Sequence, residues 1–126
     1  MEQMNVLFTD EAVFLDQARI AELEKLLGGK DAEAVMTKAM DEIALRLSKS
    51  EAQYRKNSWK DLRKTAKSIG AIGEQIGMRS LDRASKNTVD ALDGGNYAAI
   101  SATFARLLRV GDRSLSEFWD LQDITG

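Results

Sequence analysis

Apolar side chains recur along most of this chain at alternating steps of three and four residues. That is the 3.6-residue period of a helix with one buried face, and the strict alternation of a strand fits it poorly. The clearest case begins at Trp59 and continues through Leu62, Ala66, Ile69, Gly73 and Ile76. Upstream, Val35, Ala39, Ile43 and Leu47, with Ala32, Met36 and Met40 beside them, predict a helix over about 31–55. Downstream, Leu81, Ala84, Ser85, Thr88 and Leu92 point one face of a 78–93 helix inward. A last helix is predicted from Asn96, its N-cap, to about Asp123. Tyr97, Ile100, Phe104, Leu107, Leu108, Leu115 and Phe118 mark its buried side, and Gly111 is the one place open to a bend or break.

A shorter helix is predicted over about 16–28. Asp16 would cap it, Ile20, Leu23 and Leu27 share a face, and Gly28 supplies the stop. Ser58 with Asp61 three residues later resembles a capping box for the Trp59 helix, which Gly77 should end, and Gly94-Gly95 should make the next turn. Residues 1–15 are apolar without a clear period, and Val6, Leu7, Phe8, Val13 and Phe14 are expected to anchor them onto the body. Short connections place consecutive helices antiparallel, and the stripes need one shared core. The expected fold is all-α: an antiparallel four-helix bundle with a short N-terminal helix packed over one end, forming a single domain over residues 1–126. Composition agrees, because the chain has no proline to interrupt helices.

Composition then removes most chemistry. The chain has neither cysteine nor histidine. Disulfides, thiolate metal sites and cysteine nucleophiles are excluded, and so are the usual general base and the commonest metal ligand. Paired acids occur at Glu22 and Glu24, Asp41 and Glu42, and Asp120 and Asp123. The inward Glu-x-x-His motifs of a di-metal bundle are absent. GAIGEQIG (residues 70–77) lacks the lysine-serine/threonine ending and the preceding strand of a phosphate-binding loop. No cofactor, metal or enzymatic constellation is expected. No apolar run reaches the ~20 residues of a membrane span. The N-terminus carries acids where a signal peptide would carry lysines, so a soluble, cytoplasmic protein is expected.

Charge is unevenly spread. The net charge is −2, yet residues 52–87 hold 9 basic and 3 acidic side chains, whereas the segments on either side are acidic. Such a run is ordinarily a solvated face. Here it surrounds a glycine-rich helix, RKTAKSIGAIGEQIG, in which each interior glycine costs about 1 kcal/mol against alanine. Gly73 lies on the apolar stripe and fits tight packing. Gly70 falls near Arg63, Lys67 and Glu74 on the outward face, where it is either a locally weak helix position or a spot left bare so that a partner can come close.

The segment LRKTAKSIGAIGEQIGMRSL resembles the core motif of histidine-containing phosphotransfer (HPt) domains. That motif runs alanine, phosphoacceptor histidine, a small hydroxyl residue, leucine, lysine and glycine, with a second glycine about six residues on and a leucine a turn later. Ala66, Ser68, Ile69, Ile76-Gly77 and Leu81 match it. Lys67 stands at the histidine, Gly70 replaces the lysine and Ala71 replaces the glycine. The opening helix LDQARIAELEKLLGG and the Trp59–Leu62 start also fit, so the likeness covers about residues 15–123.

The resemblance implies the helical bundle and a docking face for a response-regulator receiver domain or a histidine kinase. Phosphotransfer does not carry over, because a lysine ammonium has no lone pair to attack with, and a serine phosphate at Ser68 would be too stable to relay. The expectation is a non-catalytic HPt-like module, most simply a monomer, that meets its partner through Lys60, Arg63, Lys64 and Lys67, with Ser68, Gly70, Ala71 and Glu74 around them. Two other readings remain open: a structural or dimerising bundle, and nucleic-acid binding through the basic 55–86 hairpin. The balanced net charge and the lack of a helix-turn-helix signature argue against the latter.

Overall fold

In the computed structural model of the protein, residues 17–125 are described, the side chains of residues 17, 19, 20, 23, 24 and 121–125 excepted. The N-terminal anchors and the Asp16 cap lie outside the described residues. Every element among those described is an α-helix: α1 (Gln17–Leu27), α2 (Gly29–Arg55), α3 (Trp59–Gln75), α4 (Arg79–Gly94) and α5 (Tyr97–Thr125). α2 packs on α3, α3 on α4, α4 on α5 and α5 back on α2, so the last four close a ring around one core. α1 packs against α2, from which only Gly28 separates it.

The core follows the stripes. Leu62, Ala66 and Ile69 of α3 are fully buried with Leu81 of α4, Leu107 of α5, and Met40 and Ile43 of α2. Each of the larger ones contributes about 1.5–3 kcal/mol through burial. Met36 and Met78 fill gaps in the same cluster. Three buried hydroxyls are satisfied by backbone carbonyls. Ser50 donates to the Leu47 carbonyl, Ser114 to Val110, and Thr88 to Ala84 and across to Thr103 of α5.

Three stripe residues sit elsewhere than the period predicts. Arg46 of α2 meets Ser68 of α3, which sets residue 39 level with the end of α3. Val35 therefore lies beyond α3 and is 39% exposed, bordering a surface groove with Ala39, Ile72 and Ile76. Tyr97, in the first turn of α5, is 59% exposed and joins an aromatic group at the bundle end, with Tyr54 stacked between it and Phe104 and with Trp59 edge-on. Trp59 thus packs at the rim of the core, and Trp119, 40% exposed, lies edge-on to Phe118. Leu27, expected on the buried face of α1, is 41% exposed.

The turns are built from left-handed residues in place of proline. At the end of α3, Gly77 takes φ 82. Met78 N–H then donates to the Gly73 carbonyl at 2.8 Å and Gly77 N–H to Glu74 at 3.3 Å, a Schellman closure. Asn57 (φ 56) closes α2 in the same way, through Ser58 N–H to Gln53 and its own N–H to Tyr54. This geometry corrects the capping-box expectation: Ser58 holds the N-cap position of α3 but makes no side-chain cap bond, its N–H closing α2 and its carbonyl opening α3 by accepting from Leu62 N–H. Asn96 does cap α5, accepting from Ala99 N–H at 3.0 Å. Gly111 does not break α5, which is continuous to Thr125. It lies against α2, where an added Cβ would lie 2.5 Å from a Leu47 methyl.

Candidate functional site

Along α3 the residues Lys60, Lys64, Lys67, Ala71 and Glu74 are all exposed. Their spacing of four, three, four and three puts them on one face, directly opposite the buried Leu62, Ala66, Ile69 and Gly73. Lys67 stands in the middle of this face. Lys60, Lys64 and Lys67 form no ion pair among the described residues. Ala71, one turn beyond Lys67, keeps the surface there low.

Three expected site residues have other duties. Gly70 is buried, and the bare outward spot inferred for it does not exist. α4 comes so close that an added Cβ at Gly70 would lie 2.9 Å from the Ser85 Cβ and 3.4 Å from Asp82 Oδ1. Arg63 is engaged: its guanidinium donates to both carboxylate oxygens of Asp93 on α4 at 2.6 and 3.0 Å. That bond, followed by the charge of Asp93, raises the Arg63 pKa, and reciprocally it holds the Asp93 carboxyl below the ordinary aspartate range, with Arg63 and Lys67 adding attraction through space. Ser68 is half-buried on the α2 side and accepts a 2.7 Å bond from Arg46 Nε, while Arg46 is itself steadied by Glu42. Ser68 thus pins α2 to α3 one residue from Lys67.

Sequence reasoning missed the α4 side of this surface. Asp82, Asp90 and Asp93 line up beside the lysines, with Lys86 donating to Asp82 at 3.0 Å, a bond that raises the Lys86 pKa. A groove of about 210 Å³ runs between the helices, bordered by Lys67, Gly70, Glu74, Ser85 and Asp90 among others. The Ser85 hydroxyl under it is buried without a hydrogen-bond partner. The basic residues of 55–86 are therefore not a continuous cationic surface. The detectable signal was the spacing of Asp82, Lys86, Asp90 and Asp93, one helical turn apart, but the run straddles the boundary between the basic block and the acidic segment after it.

Among the described residues no group of three or more acidic side chains is arranged to hold a metal ion, and no helix is long and apolar enough to cross a membrane. Compared with known protein-family models, with curated proteins and with solved structures, the chain matches none.

Proposed function

We propose that the protein is a non-catalytic, HPt-like signalling module of a two-component phosphorelay in the cytoplasm. It docks a response-regulator receiver domain or a histidine kinase through the α3 ridge centred on Lys67. One observation carries this reading. The position equivalent to the phosphoacceptor histidine lies midway along a bundle helix, faces solvent, and bears a lysine continued by Lys60 and Lys64, none of them neutralised by an ion pair among the described residues. An acidic phosphoacceptor pocket on the partner is the complementary surface. Fixed charges at an exposed rim act mainly on association rate and are screened by salt.

The role of each residue follows from its place. Lys67 supplies the central charge, Lys60 and Lys64 extend it, Ala71 lets the partner approach, and the Arg46–Ser68 bond fixes the helix that presents them. Arg63 and Gly70 act indirectly, bracing α3 on α4. Acidic side chains interleaved on the same face, Asp82, Asp90 and Asp93, speak against the nucleic-acid reading, since phosphates would meet them too. The test is a titration of receiver domains against the native chain and Lys67→Glu at low and high salt. Reversal of the central charge should weaken binding about tenfold, equivalent to about 1.4 kcal/mol, at low salt and much less at high salt. Equal affinity for both, indifferent to salt, overturns the proposal.

A further inference from the structure

The face formed by α3 and α4 is bipolar, and its two halves match each other. On α3 the exposed charges run from Lys60 through Lys64 and Lys67, all positive, past neutral Ala71 to negative Glu74. The register of α4 is set by two contacts, Gly70 against Ser85 and Arg63 against Asp93. It places Asp90 level with the Lys64–Lys67 turn and Arg83 near the turn that carries Glu74. Lys64, Lys67, Glu74, Arg83 and Asp90 have no ion pair among the described residues. Counted over the charges that have no ion pair, each helix presents the sign opposite to its neighbour's, with the Asp82–Lys86 pair neutral between the two levels, across a shallow groove where Gly70 and Ser85 bring the two helices close.

We infer that this face pairs with a second copy of the same chain, about a two-fold axis lying along the groove. Rotation about that axis lays α3 of one copy over α4 of the other at the same level, antiparallel to it as the two helices are within one copy. Lys64 and Lys67 then face Asp90 of the second copy, and Glu74 faces its Arg83. Symmetry makes every such contact twice, as an isologous interface requires. Exposed charges hold the pair with little apolar burial, so the association is weak, dynamic and salt-sensitive. Pairing covers Lys67. It therefore competes with receiver docking but does not depend on it, and its test needs no receiver.

The experiment is sedimentation equilibrium of the full chain at low ionic strength and at concentrations up to about 1 mM. The native protein should rise from the mass of one chain toward that of two, and return to one at ~1 M salt, where the screening length is about 3 Å. Lys67→Glu and Asp90→Lys should each pair at least tenfold more weakly, because each sets like charges together at two places. An equimolar mixture of the two variants should pair as well as the native chain. In the mixed pair the carboxylate introduced at position 67 of one copy faces the ammonium introduced at position 90 of the other, while the remaining contact stays native. That recovery also shows that both variants fold. A native chain that stays monomeric throughout overturns the inference. So does single-variant pairing at native strength, or Lys67→Glu pairing with the native chain in preference to Asp90→Lys. Asp90→Lys further separates the two proposals, because it abolishes self-pairing yet makes the face more attractive to an acidic receiver.

Discussion

Adding one methyl group at residue 70 tests the geometry on which the proposed docking face is built. An alanine Cβ there would lie 2.9 Å from the Ser85 Cβ, whereas carbon atoms in contact settle at about 3.5–4.0 Å, so α3 and α4 must part locally by roughly 0.6–1.1 Å. Ser85 cannot swing that atom away, because a Cβ is fixed by the backbone. Overpacking of this kind costs about 1–3 kcal/mol, and replacing a helical glycine by alanine returns about 1 kcal/mol. Gly70→Ala should therefore destabilise by about 1 kcal/mol, seen as a fall of about 3–5 °C in Tm or as the matching shift of a urea midpoint. The control is Ser85→Gly, which removes the opposing Cβ. In that background the same Gly70→Ala change should stabilise by about 1 kcal/mol, leaving a coupling of about 2 kcal/mol between the positions. If Gly70→Ala stabilises the native chain to the same extent as the Ser85→Gly chain, residue 70 faces solvent and the packing argument is refuted.

Two further outcomes follow from single contacts. Asn96→Ala removes the bond to Ala99 N–H and should cost about 1 kcal/mol in urea unfolding, and a cost near zero would mean that the cap is idle. Asp93 is held below the ordinary aspartate range, so its contribution is present above that range and is lost as pH falls through its lowered folded value. The stability gap between the native chain and Asp93→Asn should accordingly be small, constant near neutrality, and closing in acid. A gap independent of pH from about 7 to 2 would show that the Arg63 pair does not bias the titration.

The helices were legible because each buries a single stripe against one shared core, and nothing in a proline-free chain contradicts the period. Residues at the stripe's border were not. Gly70 stands about 60° around the helix from Lys67, between the exposed and buried faces, and its side is settled by how near Ser85 allows α4 to come. Val35 keeps a perfect period with Ala39 and Ile43, but exposure there depends on α3 being shorter than α2, 17 residues against 27. The acidic half of the face escaped notice because folding joins residues thirty apart, as with Arg63 and Asp93, that a linear charge count assigns to different segments. Lys67 was placed correctly in the open because it lies about 130° around the helix from the middle of the stripe, where period alone decides.

The seam between α2 and α5 differs from the other three in the length of chain that separates its sides. Neighbouring helices are joined by connections of two or three residues, but Leu47 meets Gly111 only after two whole helices have intervened. Loop-closure entropy grows with that separation, so this seam is expected to close after the hairpins. Contacts made after the rate-limiting step act on how long the native state survives and hardly on how fast it is reached. If this seam closes after that step, a side chain added at residue 111 should speed unfolding and leave the folding rate nearly unchanged.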